Sequence, residues 1–172
     1  MTKVKVWDLL TRIFHWSLVG AFATAWITED HYKDLHELAG YTVLGLIAFR
    51  VIYGFVGAKH SRFSDFVVSP ATVINYLKNL LAGHHQSHLG HNPAAGYMVI
   101  ALLASVTLAA LTGWMMEFDM FWGFKWVEML HEAMASLALG LVFVHIAGVI
   151  VMSFVEKQNL AKSMLTGLKK GS

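Results

Sequence analysis

Ten histidines and no cysteine occur in a 172-residue chain that is 56% hydrophobic. Without thiolate there can be no disulfide, no iron–sulfur cluster and no covalent haem attachment through C-x-x-C-H. Any metal must therefore rest on imidazole or carboxylate. An imidazole among apolar residues is costly unless it has a partner, which singles out His15, His36, His131 and His145, all inside or at the edge of apolar stretches. His131 and His145 are 14 positions apart. In one helix that spacing returns to within about 40° of the same face and separates the two rings by about 21 Å along the axis, which suits two stacked macrocycles. Haem iron in an electron-transfer protein takes two strong axial ligands on opposite sides of the ring, and neutral imidazole is a common choice. Each histidine alone also has a plainer reading, as a polar side chain bonded to a nearby carbonyl or hydroxyl.

The elements that must carry these residues are apolar and long. Only 14% of the chain is charged and the mean hydropathy is +0.55, outside the range of an ordinary soluble domain. Four stretches approach the roughly 20 apolar residues that cross a hydrocarbon core: about 9–28, 35–56, 94–116 and 127–155. The expected fold class is all-α, an integral membrane four-helix up-and-down bundle forming one domain over residues 1–172. The first apolar stretch contains Trp16 and Trp26 and ends in Glu29-Asp30 instead of a small-residue cleavage site, so it reads as a retained helix. The connection 57–93 holds an amphipathic piece after Ser69-Pro70, which suits either the membrane interface or the bundle surface.

Orientation follows from Lys and Arg. Lys3, Lys5, Arg12, Lys59, Arg62, Lys78, Lys157, Lys162, Lys169 and Lys170 fall on one side, whereas the other has only Lys33 and Lys125 among seven carboxylates. Both termini and the 57–93 connection are thus expected to be cytoplasmic, in a bacterial inner membrane. Up-down order then places His36 and His131 near the outer face and His15 and His145 toward the cytoplasm. The natural pairs are His36 with His131 and His15 with His145, each holding one haem b.

The surroundings agree without requiring this. Arg12, Arg50 and Arg62 are suited to the anionic propionates of a haem, although Arg12 and Arg62 would also serve as ordinary cytoplasmic anchors. Arg50 stands in an apolar run 14 residues after His36, where a lipid-facing charge is costly. Gly40 and Gly148 would admit a flat ring or simply close helix packing. His84, His85, His88 and His91 form H-H-x-x-H-x-x-H, a spacing open to a metal such as zinc and equally to a solvated loop. His31 and His60 are loop residues with weak claims to ligation. Tyr32, Trp114, Trp122 and Trp126 fall where interfacial aromatic belts occur.

Several segments together resemble the bacterial cytochrome b561 and nickel–iron hydrogenase b-type subunit group. They are VWDLLTRIFHW at 6–16, LHELAGY at 35–41, FRVIYGFVG at 49–57, HSRF at 60–63, GHNPAAG at 90–96, HE at 131–132 and NLAKSMLTGLK at 159–169. The resemblance implies a four-helix bundle with two bis-histidine b haems whose ligands fall on His15, His36, His131 and His145. It also implies electron exchange between a quinone pool and a redox partner, which is a hydrogenase, a c-type cytochrome or a periplasmic reductase. The compact length is closer to the b561-like members. Gln158 stands where the family pattern would have Glu. The partners expected are the lipid bilayer, quinone and one such redox protein, with a homodimer left open and no nucleic acid. The sequence contains no nucleophilic dyad or nucleotide-binding loop, so the chemistry belongs to the cofactor. A His-based metal transporter or sensor using residues 84–91, and a simple membrane anchor subunit of a redox complex, are the rival readings.

Overall fold

The computed structural model describes residues 3–84 and 87–171. It is all-helical in character, with 76% of the chain in helix. Among the described residues, α1 spans Leu9–Thr28, α2 Lys33–Val56, α3 Phe63–Phe66, α4 Pro70–Leu81, α5 Pro93–Met115, α6 Lys125–Val155 and α7 Leu160–Thr166. A three-residue strand lies at each end, β1 (Lys3–Lys5) and β2 (Leu168–Lys170).

Local chemistry sets the boundaries. Helices begin where a side chain can accept from the otherwise unpaired first-turn amides. Asp8 Oδ1 accepts from Thr11 N at 3.0 Å ahead of α1, Asn92 Oδ1 from Ala95 N at 2.8 Å ahead of α5, and Asn159 Oδ1 from Lys162 N at 2.8 Å ahead of α7. Ser69 caps α4. Pro70 and Pro93 open α4 and α5, where proline's missing amide costs nothing. Gly167 ends α7 in the left-handed region, at φ 80°.

Helices α2, α5 and α6 are long and apolar enough to cross a membrane. The window of α6 has a mean hydropathy of 2.4 and only 11% of it is buried within the protein. Exposed side chains such as Phe143, Ile150 and Phe154 would be a liability in water and are the ordinary surface of a protein dissolved in lipid. Helix α1 has the expected boundaries and, at 20 residues, enough length. It falls below the other three in hydropathy because Arg12, His15 and two tryptophans interrupt its apolar residues.

The chain divides into two compact units, each assembled from distant stretches. One comprises residues up to Arg12, Ile52–Ile100 and the chain from Phe143 onward. Its termini are tied together: β1 and β2 pair antiparallel with Val4 opposite Lys169, and the amides of Val6 and Trp7 both donate to Gly167 O, at 2.9 and 3.1 Å. Beside this ribbon the Asp8 carboxylate accepts from the hydroxyls of Thr11, Ser61 and Tyr53 at 2.6, 2.8 and 2.9 Å. Burial alone would raise this carboxyl, but the hydrogen bonds from Thr11, Ser61 and Tyr53 prevail and hold its pKa at about 2. Lys169 Nζ stands 3.7 Å from Glu156 Oε2, with the two side chains only 5% and 3% exposed. Lys169 also donates to His88 O at 3.1 Å, and Gln158 Nε2 to Glu156 at 2.7 Å. The glutamine at the departure from the family pattern is thus a donor to a buried carboxylate.

The second unit comprises Ile13–Val51 and Ala101–Val142. Val43, Ile47, Val106 and Ala138 form its core, with Leu18 and Phe22 packed against them. Ala138 is fully buried, and a methyl there lets backbones approach closely, as helix packing in lipid favours.

Candidate metal centre

The second unit brings His36 of α2 and His131 of α6 together. Both are half-buried, and their ring centres lie 6.1 Å apart with planes at 76°. Each ring is held by a backbone carbonyl from a different helix: His36 Nδ1 bonds Ala25 O of α1 at 2.9 Å, and His131 Nδ1 bonds Ala109 O of α5 at 2.8 Å. A carbonyl oxygen only accepts, so in both rings Nδ1 must carry the proton. That leaves the lone pair on Nε2, the tautomer a metal requires.

The separation is informative. Two imidazoles bonded to opposite sides of one ion at about 2.0 Å, each through a nitrogen about 1.1 Å from its ring centre, would have centres about 6.2 Å apart. The observed 6.1 Å is close to this, so these two imidazoles could hold one metal ion between them. Small residues line the same place. His36, Gly40, Ala110 and His131 are shared by two adjoining clefts, of about 160 and 60 Å³. A side chain at Gly40 would meet nothing within 4 Å, which marks open space beside the pair. One cleft continues past Phe22, Trp26 and Val43, the other to Tyr41, Leu44 and Trp114. At the mouth of the larger cleft, Lys33 bridges Glu37 and Glu117 at 3.1 and 3.9 Å. This pair is exposed on the lysine side, so its energetic weight is small.

The other predicted residues are placed as follows. Arg50 is 4% exposed in the second unit, consistent with the reading that it is not a lipid-facing charge. His15 belongs to that unit too, half-buried and edge-on to Trp16 at 5.0 Å. His145 lies on the part of α6 that belongs to the first unit and is likewise half-buried. In the first unit, one Arg12 guanidinium nitrogen donates to Leu165 O, which anchors α7. Among the described residues the buried Nε atoms of Arg12 and Arg62 have no hydrogen-bond partner, leaving each guanidinium a donor for an acidic group.

The H-H-x-x-H-x-x-H stretch is spread out. His91 packs against Trp7 and Phe66 at ring separations of 4.8 and 4.7 Å, and His88 meets the edge of Tyr76 at 5.6 Å. His84 is exposed and His85 lies outside the described residues. Among the described residues, no three His, Cys, Asp or Glu gather to hold a metal ion.

Sequence reading did not find Gly113, Thr28 or Thr112. A Cβ at Gly113 would stand 3.0 Å from His131 Cε1 and 3.1 Å from its Nδ1, so the glycine makes room for the ring. The hydroxyls of buried Thr28 and Thr112 reach the carbonyls of Ala25 and Ala109 at 3.4 and 3.0 Å. In both cases the threonine is three residues after an alanine, a spacing with no chemical meaning until the histidine is seen on the same carbonyl.

Helices built for lipid and a pair of histidines suited to a metal are what a membrane b-type cytochrome requires, and the family match makes the chain one that works in electron transfer. The family model for prokaryotic cytochrome b561 matches residues 6–167, and the chain belongs to that family. No curated protein matches the chain.

Proposed function

We propose that this chain is a di-haem cytochrome that passes electrons between the quinone pool and a redox partner such as a c-type cytochrome, a hydrogenase or a periplasmic reductase. In this reading α1, α2, α5 and α6 form a four-helix bundle in the bacterial inner membrane with both termini in the cytoplasm. The observation that carries it is the His36–His131 pair, whose 6.1 Å ring separation and carbonyl-bound Nδ1 atoms would let the two Nε2 atoms hold one haem. Bound haem supplies reversible one-electron chemistry at iron.

The chain's own residues supply position and environment. Ala25 O and Ala109 O hold the two imidazoles in one tautomer and orientation, the outer-shell role that keeps a ligand aimed and basic. The cleft walls are mostly apolar. His15 and His145 would hold the second haem, as the family resemblance implies. The Arg12 and Arg62 guanidiniums, each with an unsatisfied buried Nε, and the buried Arg50 would bind haem propionates.

Purified protein tests this directly. A reduced-minus-oxidised spectrum should show b-type α bands, with haem assay giving two per chain. His131→Ala should lose one haem and His145→Ala the other, while His84→Ala and His88→Ala should keep both. Absence of any b-type band would overturn the reading and favour a simple anchor. Loss of haem from the loop variants alone would favour the metal-binding alternative.

A further inference from the structure

We infer that Thr112, and more weakly Thr28, set the reduction potential of the outer haem by sharing the carbonyls that hold its two histidine ligands. The inference rests on the haem reading of the His36–His131 pair. The two halves of this site repeat one arrangement. Ala109 O receives His131 Nδ1 at 2.8 Å and the Thr112 hydroxyl at 3.0 Å. Ala25 O receives His36 Nδ1 at 2.9 Å and the Thr28 hydroxyl at 3.4 Å. Thr112 and Thr28 are 3% and 5% exposed, so water does not compete for these contacts.

Two donors on one carbonyl draw on the same electron density, and each weakens the other's bond. A weaker Nδ1–H···O bond leaves the imidazole less electron-rich, and ligand basicity is one of the levers by which the second shell tunes a haem. A less basic ligand stabilises ferric iron less and raises the potential. The two threonines are unequal. Each has a single proton, and each also bonds the carbonyl four residues back, Thr112 to Leu108 O at 2.7 Å and Thr28 to Thr24 O at 2.7 Å. With 3.0 against 3.4 Å to the shared carbonyl, Thr112 divides its proton and Thr28 spends it chiefly on Thr24. Both are positioning residues that act through the histidines.

The test is a potentiometric titration of the intact haem-loaded protein, followed at each α band. Thr112→Val keeps the shape and removes the hydroxyl. It should lower the midpoint of the haem that His131→Ala removes, by up to about tenfold in the reduction equilibrium, about 59 mV for one electron, and leave the other haem unmoved. Thr112→Ser should restore the parent value, and Thr28→Val should shift the same haem in the same direction by less, which keeps the test available if Thr112→Val does not fold. Unchanged midpoints in both valine variants, or equal shifts of both haems, would overturn the inference while leaving the haem reading intact. If instead His36→Ala and His131→Ala retain every haem, the haem reading itself fails.

Discussion

Replacing Gly113 by alanine should weaken binding of the haem proposed at the His36–His131 pair. The added methyl would stand 3.0 Å from His131 Cε1 and 3.1 Å from Nδ1, whereas carbon contacts settle at about 3.5–4.0 Å. The imidazole must therefore give by about a few tenths of an ångström, while a metal bond tolerates only about 0.2 Å. Retreat also strains the 2.8 Å bond to Ala109 O, worth about 0.5–1.5 kcal/mol. With a steric cost of about 1–3 kcal/mol, the loss in haem affinity comes to about 2 kcal/mol or more, roughly thirtyfold. Alanine is the better helix former by up to about 1 kcal/mol, but that gain is present with and without haem and cancels from binding. The expected signature is thus a split: one haem lost or loosened in a titration of haem-depleted protein, and thermal stability of the haem-free form unchanged or raised. Unchanged haem affinity with an unaltered spectrum in Gly113→Ala would refute the reasoning.

Three further outcomes concern the first unit. Asp8 titrates at about 2 instead of 3.8, so its stabilisation is complete above pH 3.8 and is lost as pH falls toward 2; melting in detergent across this window should lose about 1–2 kcal/mol after allowance for solvent screening, and Asp8→Asn should flatten that dependence. Breaking the buried Glu156–Lys169 pair by Lys169→Met should cost about 3–5 kcal/mol, read as faster proteolysis near the C-terminus, whereas the double variant with Glu156→Leu should recover much of it. Gly167→Ala places a Cβ 2.6 Å from Trp7 O at φ 80°, so it should destabilise by at least about 1–2 kcal/mol and release the terminal ribbon, visible as faster amide exchange at Val6 and Trp7.

Much of this molecule is legible in its sequence because the relevant physics is local. Hydropathy alone marks α2, α5 and α6, whose observed bounds lie within two residues of the expected spans. Ser69-Pro70 announces the start of α4. The choice of His36 and His131 needed only helix period and depth, and the structure places those rings together. Other features depend on contacts between residues far apart in the chain. The histidine at 131 is aimed by a carbonyl at 109, the one at 36 by a carbonyl at 25, and Arg12 reaches the carbonyl of Leu165. Backbone carbonyls look alike in a sequence, so no residue type could reveal which ones hold the rings. The role of Gly113 was equally hidden, because a glycine near a helix end has many uses until the imbedded ring is seen beside it. His91 shows the converse: its motif suggests a ligand, and packing turns it into an aromatic partner of Trp7 and Phe66. Residue type and period determine which side chains could bind iron, whereas the tautomer, spacing and carbonyl partners of the His36–His131 pair are decided only when helices α1, α2, α5 and α6 supply their groups to one place.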